Sequence, residues 1–252
     1  SLRWIRVVFA LLMVVELGRY ASLGWIKYYY TYATMHFSYP GMDFIQPWGE
    51  TGMWLHLCIL MVLALGLVVG WRPRLFAGLF TLGFGYLFLL DQAYYLNHLY
   101  LVCLLSFLFC LIPTDPQRMG RQWMLDLVRF QVGVVYFFGG VAKLNEDWMS
   151  GQPMVGWMQA RSDWFVVGEL LAWDPTALLL SWGGLAFDLS IVPFLLFKRT
   201  RRPAFWCAVL FHSLNAALFR IGIFPYLMVA LTTVFFSPTW CRLVNVQRLP
   251  AR

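Results

Sequence analysis

Apolar runs of 16 to 22 residues recur eight times along the chain, and this recurrence constrains the fold more than any other feature. A helix that crosses the hydrocarbon core of a bilayer needs about 17 to 25 mostly apolar residues. The runs near 4 to 23, 53 to 71, 75 to 90, 96 to 112, 123 to 142, 176 to 197, 204 to 220 and 222 to 237 therefore read as candidate spans, a count good to about one because several are short. Proline and basic residues punctuate them at Arg72-Pro73-Arg74, at Pro113-Thr114-Asp115-Pro116 and from Lys198 to Pro203. Charged residues make up only 12% of the chain, against about a quarter in soluble domains. The expected fold is all-α, a polytopic transmembrane bundle of about eight helices forming a single domain over 1–252.

The net charge of +7 would on a soluble protein point towards nucleic acid. Placed on an eight-span scheme with both termini cytoplasmic, it has another origin. Arg3, Arg6, Arg72, Arg74, Arg118, Arg121, Lys198, Arg199, Arg201, Arg202, Arg242, Arg248 and Arg252 fall on the inner side, whereas Arg19, Lys27, Lys143, Arg161 and Arg220 fall outside and Arg129 lies within a span. Thirteen against five is the bias expected of basic residues retained in the cytoplasm, so no nucleic-acid partner is needed. Glu16 and Arg19 interrupt the first run, which argues against a cleaved signal peptide. The five cysteines show neither a CxxC pair nor a disulfide framework.

Two outer segments are long, 24 to 52 and 143 to 175, and rich in Trp and Tyr. Trp25, Tyr28, Tyr29, Tyr30 and Tyr32 read first as an interfacial belt, with a lid over an outward-facing site as the alternative.

Ionisable groups at membrane depth are costly and so are candidates for function. They are Glu16, His98, Asp126, Arg129, Lys143, Asp188 and His212. Glu16 has Arg19 three residues on as a possible partner, and Arg129 and Asp188 are expected to neutralise each other as a structural pair between helices. His98 and Lys143 come out at one depth, near the outer ends of the fourth and fifth spans. Lys143 either snorkels to the headgroups or, facing the bundle, serves as a free amine base. Gly139-Gly140 just before it permits close approach of a backbone or a flat ligand. His212 and Asn215 share one face of the seventh span, suited to a polar network or a cofactor ring. No residue set has the spacing of a metal site, and the GxSxG, P-loop, HExxH and dinucleotide motifs are absent. Gly66 and Gly70 form a GxxxG that reads as helix packing.

The run Asp91 to Tyr100 with Asn97-His98, then Arg129-Phe130-Gln131, Val135-Tyr136-Phe137 and Lys143-Leu144-Asn145-Glu146-Asp147-Trp148, resembles the vitamin K-dependent gamma-carboxylase family and its bacterial relatives carrying the horizontally transferred transmembrane domain. Gly183 to Ser190, Phe211 to Asn215, Phe219 to Tyr226 and Ser237 to Trp240 continue the likeness in order. The resemblance implies an integral membrane enzyme that oxidises reduced vitamin K, of menaquinol or phylloquinol type, with O2. The strong base so formed removes a proton from a glutamate gamma carbon, to which CO2 adds.

It further implies Lys143 as the initiating base and His98 as the group acting at the substrate carbon. Asn97, Tyr136, Gly139, Gly140, His212 and Asn215 are expected to bind the quinone, with Arg129 and Asp188 helping to shape the pocket; the resemblance implies a glutamate-containing peptide or protein as partner at the non-cytoplasmic face. Ala142 stands where the animal motif has a second lysine, and Asn145 where it has aspartate. The lumenal domain of the animal enzymes is expected to be absent from this chain, which reads as a membrane module or a short bacterial-type relative. Two readings of other classes stay open: a proton-coupled transporter or channel, and a non-catalytic module binding quinone or lipid.

Overall fold

The computed structural model describes residues 2–33, 35–113 and 122–236. Arg118, Arg121, Arg242, Arg248, Arg252, Cys241 and the motif at 237–240 lie outside the described residues. Every one of the eight apolar runs is helical: α1 (Leu2–Ser22), α2 (Glu50–Val69), α3 (Pro73–Leu89), α4 (Asn97–Leu111), α5 (Gln122–Val141), then α9 (Asp174–Leu196), α10 (Arg201–Leu218) and α11 (Phe224–Thr232), the last continued by a 3-10 turn, Thr233–Phe235. Three short helices intervene between α5 and α9: α6 (Glu146–Met149), α7 (Gln152–Gln159) and α8 (Gly168–Ala172). No strand occurs among the described residues.

Helices α2, α5 and α9 are long and apolar enough to cross a membrane. Helices α3 and α4, and the segment Phe224–Phe235, are apolar but shorter. Helix α1 carries Arg3, Arg6, Glu16 and Arg19, and α10 opens with two arginines. The protein is thus an all-helical, membrane-associated bundle.

Local chemistry sets the helix ends. Gly70, left-handed at φ 82°, stops α2, and its N–H donates to the carbonyl of Gly66. Pro73 opens α3, Pro175 the first turn of α9, and Pro225 that of α11. A Cβ on Gly66 would overlap the ring of Phe76, so within the GxxxG the first glycine lets α3 approach α2 and the second caps.

Helix α1 buries one stripe, with Ile5, Phe9, Met13 and Leu17 fully enclosed at helical spacing. The Phe9 ring meets Phe80 of α3 at 6.2 Å and Phe109 of α4 at 5.3 Å. Several polar groups at depth are satisfied within their own helix or by a neighbouring one. Glu16 pairs with Arg19 at 2.7 Å, as its spacing predicts. His56, which the sequence reading passed over, shares a hydrogen bond of 2.9 Å with the Gly83 carbonyl and ties α2 to α3.

The aromatic segment after α1 is fastened at the α3–α4 connection. Asp91 is buried there, accepting from the backbone N–H groups of Phe37 and Ala93 and meeting His36 Nδ1 at 3.2 Å. Tyr29 stacks on Tyr94 with ring centroids 4.4 Å apart. The second long segment forms a separate small apolar cluster, in which Met154 and Met158 of α7 pack with Leu171 of α8, Ala177 of α9 and Leu218 of α10. That cluster roofs the α9–α10 half of the bundle.

Candidate functional site

Helix α5 ends at Val141 in a turn that directs Lys143 back over the helix it has just left. The Asn145 side chain donates to the Ala142 carbonyl at 2.8 Å and accepts from the Trp148 N–H at 2.9 Å, capping α6 and closing the turn. Lys143 Nζ accordingly reaches the Gly139 carbonyl at 3.0 Å, where a cation also meets the negative end of the α5 dipole. Trp148 lies over the amine, 5.1 Å from ring centroid to Nζ, and is held there by its indole N–H donating to the Ser181 carbonyl at 2.8 Å. The motif from Lys143 to Trp148 is in this way a cap, an anchor and a cover for one ammonium group.

The partner of Lys143 comes from α9. Asp188 Oδ2 accepts from Nζ at 2.6 Å, and both side chains are largely withdrawn from solvent. Helices α5 and α9 approach this closely because Gly139 and Gly140 present no side chain. A Cβ on Gly139 would stand 3.2 Å from Asp188 Oδ2, and one on Gly140 would stand 2.5 Å from Leu189 Cδ2 and 2.8 Å from its Cγ. Gly140→Ala is therefore expected to push α9 outwards and destabilise the protein by about 1–3 kcal/mol. Thermal unfolding in detergent checks this, and an unchanged midpoint would contradict the close packing of α5 on α9.

Below the pair lies a cavity of about 730 Å³, mostly apolar, between α5, α9, α10 and the start of α11, with α7 as roof. That volume lies in the range of roughly 300–1,000 Å³ typical of small-molecule sites. Lys143, Asp188, Tyr136, Gly139, His212 and Asn215 are on its wall, together with the aromatic rings of Trp148, Trp157, Phe211, Phe219 and Phe224. Tyr136 Oη and His212 Nε2 share a hydrogen bond of 2.7 Å, both residues being buried. His212 Nδ1 is buried with no partner among the described residues. An orphaned polar atom on the wall of an apolar chamber is a position for a ligand's hydroxyl or carbonyl.

Of the residues singled out in the sequence, Lys143, Tyr136, Gly139, His212 and Asn215 converge on this chamber, whereas others do not. Gly140 faces Leu189 instead. Asn97 is exposed at the start of α4. His98 does not line the cavity: its ring packs against Phe224, at 5.9 Å, and Phe224 in turn meets His212 at 6.2 Å. Phe224 thus stands between the expected imidazole and the chamber.

The expected Arg129–Asp188 pair is not formed. Arg129 binds Asp126 at 3.0 Å and the Val234 carbonyl at 3.2 Å, while Asp188 belongs to Lys143. The reason is register: Arg129 lies ten residues before Gly139 on α5, about 15 Å further along the helix axis.

The first aromatic segment does not line the cavity, whose wall takes its residues from 135 onwards, so the alternative of a lid there is not supported. The segment after Lys143 covers it instead. Trp148 and Trp157 were missed as site residues, and Asp188 was singled out but assigned the wrong partner. Their signals were present in the Lys143 to Trp148 motif and in Gly184 preceding Asp188 by one helical turn, but nothing in the sequence gave the pairing across helices.

Residues 1–240 match the family described as the HTTM domain. This chain belongs to the HTTM-domain family. That family is related to the vitamin K-dependent carboxylases, in line with the resemblance carried by the motifs above. No solved structure matches the chain. Within the HTTM domain the matched span contains every residue of the cavity wall, so the Lys143–Asp188 pair and the His212–Tyr136 pair both lie inside the family's own module.

Proposed function

We propose that the protein is a quinol-dependent membrane enzyme of the gamma-carboxylase type, with the Lys143–Asp188 pair as its acid–base centre. The observation that carries this reading is the placement of an ammonium–carboxylate pair on the wall of an apolar cavity that also holds an unpartnered imidazole nitrogen. Intramembrane charge of this kind costs several kcal/mol unless it is paired, and a pair that faces a cavity is available to a ligand. Eight crossings with both ends cytoplasmic belong to the same proposal. Lys143, the end of α10 and α6 to α8 then lie at the non-cytoplasmic face.

The wall fits a flat, two-ring quinol. Aromatic and apolar side chains match its faces, and Lys143 Nζ and His212 Nδ1 offer polar contacts for its oxygens. A reduced naphthoquinone, converted with O2 into its epoxide and water, supplies the strong base that removal of a proton from a glutamate gamma carbon demands.

The chain's own part is positioning and proton transfer. Asp188 Oδ2 takes a proton from Lys143 Nζ along their 2.6 Å hydrogen bond, leaving an amine able to accept the proton of a ring hydroxyl. The ammonium so regenerated stabilises the oxyanion beside it. Trp148 and Trp157 keep water from the amine. His212, oriented by Tyr136, holds the opposite side of the ring. The role that the resemblance gives to His98 requires the Phe224 ring to turn away from between them.

Purified protein in detergent, supplied with reduced menaquinone and O2, is expected to form the quinone epoxide, and the quinone alone is expected to quench tryptophan emission through Trp148 and Trp157. Absence of both epoxide and quenching across quinones of different tail length would overturn the reading. Quenching without epoxide would favour a quinone-binding module.

A further inference from the structure

A second chamber of about 630 Å³ adjoins the first and shares Ala160, Arg161, Phe219 and Arg220 with its wall. Its character is opposite. Arg19, Arg161 and Arg220 all line it, from the end of α1, the turn after α7 and the turn after α10. Two of these guanidinium groups are held in place. Arg19 is gripped by Glu16 at 2.7 Å, lies 5.4 Å from the Trp25 ring, and rests against Gly222, where a Cβ would stand only 2.6 Å from its Nη1. Arg161 donates to the Leu218 carbonyl at 3.0 Å and lies 5.8 Å from the Trp164 ring. The Arg220 guanidinium makes no hydrogen bond or ion pair among the described residues. Asp163, also on the wall, is paired with none of the three. With Glu16 offsetting Arg19, the chamber still carries more guanidinium than carboxylate.

The distribution of charge along the chain points the same way. Basic residues collect on one side of the eight-span scheme, and only Arg19, Lys27, Lys143, Arg161 and Arg220 run against that bias. Four of those five, all but Lys27, line the two joined chambers. Cations kept at the disfavoured face and gathered around one concave site imply an anionic ligand.

We propose that the arginine chamber holds the carboxylate of the acceptor substrate, with the reacting carbon, bonded directly to that carboxylate, at the boundary where Arg161, Phe219 and Arg220 line both chambers. The assignment of that carboxylate to an acceptor rests on the quinol-dependent reading, whereas the anion site itself does not. Guanidinium forks match carboxylates in a bidentate manner, and Arg220, unpaired among the described residues beside two fixed arginines, leaves one fork free for the ligand. A carboxylated product carries two adjacent carboxylates, which three guanidinium groups accommodate better than one.

The test compares two fluorescent short apolar peptides, one with a single glutamate and one with glutamine in its place, titrated onto the detergent-purified protein without quinone. The wild type is expected to bind the glutamate peptide at least about tenfold more tightly, the scale of a charge-assisted contact. In Arg161→Gln/Arg220→Gln the preference is expected to fall to about twofold or less.

If the double variant fails to fold, Arg220→Gln alone, which removes no internal hydrogen bond, is expected to lower the preference about threefold, with Arg220→Lys intermediate. Equal affinity for the two peptides in the wild type, or a preference retained in these variants, would overturn the proposal. Competition by a short-chain phosphatidylglycerol without any glutamate preference would overturn it too, assigning the chamber to a lipid headgroup. Because no quinone is present, a missing epoxide and a missing glutamate preference are separate results.

Discussion

Lys143→Met is expected to lower epoxide formation by about 10²–10⁴-fold, the usual contribution of a positioned general base. The informative companion is Lys143→Arg. Arginine keeps a positive charge beside Asp188 and can satisfy its carboxylate, yet it does not give up its proton in proteins. A structural cation would be rescued by it; a base would not. Turnover in Lys143→Arg should therefore stay as low as in Lys143→Met, while its unfolding midpoint returns towards that of the wild type. Activity restored by arginine would remove Lys143 from proton transfer. Quench titrations with oxidised quinone separate the loss of chemistry from a loss of binding.

The second large effect concerns stability. Asp188→Leu leaves an ammonium facing an apolar chamber with only the Gly139 carbonyl and the Trp148 face to receive it. Removing one partner of a buried ion pair costs about 3–5 kcal/mol, chiefly because the other charge is stranded. The double variant Lys143→Met/Asp188→Leu carries no stranded charge, so most of that loss is expected to be recovered while activity is not. A double-mutant cycle on thermal or denaturant unfolding measures the coupling. Additive effects, with the double variant as unstable as the sum of the singles, would mean that the pair does not interact.

These two results bear on how far the site was legible in advance. Lys143 was recognisable because lysine at membrane depth is expensive and because its motif resembles that of the carboxylase family. His212 and Asn215 were recognisable because a spacing of three puts two polar groups on one helical face. The mismatch of Arg129 with Asp188 has a different origin. Either pairing neutralises the charges on paper, and the choice between Arg129 and Lys143 depends on how far α9 slides along α5. That slide is set by Gly139 and Gly140 meeting Asp188 and Leu189, a contact between residues nearly fifty positions apart.

His98 illustrates the same difficulty in rotation rather than translation. Its depth agrees with that of Lys143 in the sequence scheme, but depth does not say which neighbour a ring faces, and Phe224 from the far end of the chain occupies the intervening place.

The run lengths and the proline and glycine punctuation were sufficient for the helical class and the helix positions to within a few residues, and the ordered motifs such as Lys143 to Trp148 and Phe211 to Asn215 carried the resemblance to the family. All of these are local properties, because in lipid each helix satisfies its own backbone hydrogen bonds and its apolar length is selected one segment at a time. Partner choice was beyond their reach. Lipid solvates every apolar face alike, so helix association follows from close packing at small residues and from the few polar contacts that packing permits. Which carboxylate pairs with Lys143, which imidazole borders the cavity, and the gathering of three distant arginines into one chamber all emerge at that step.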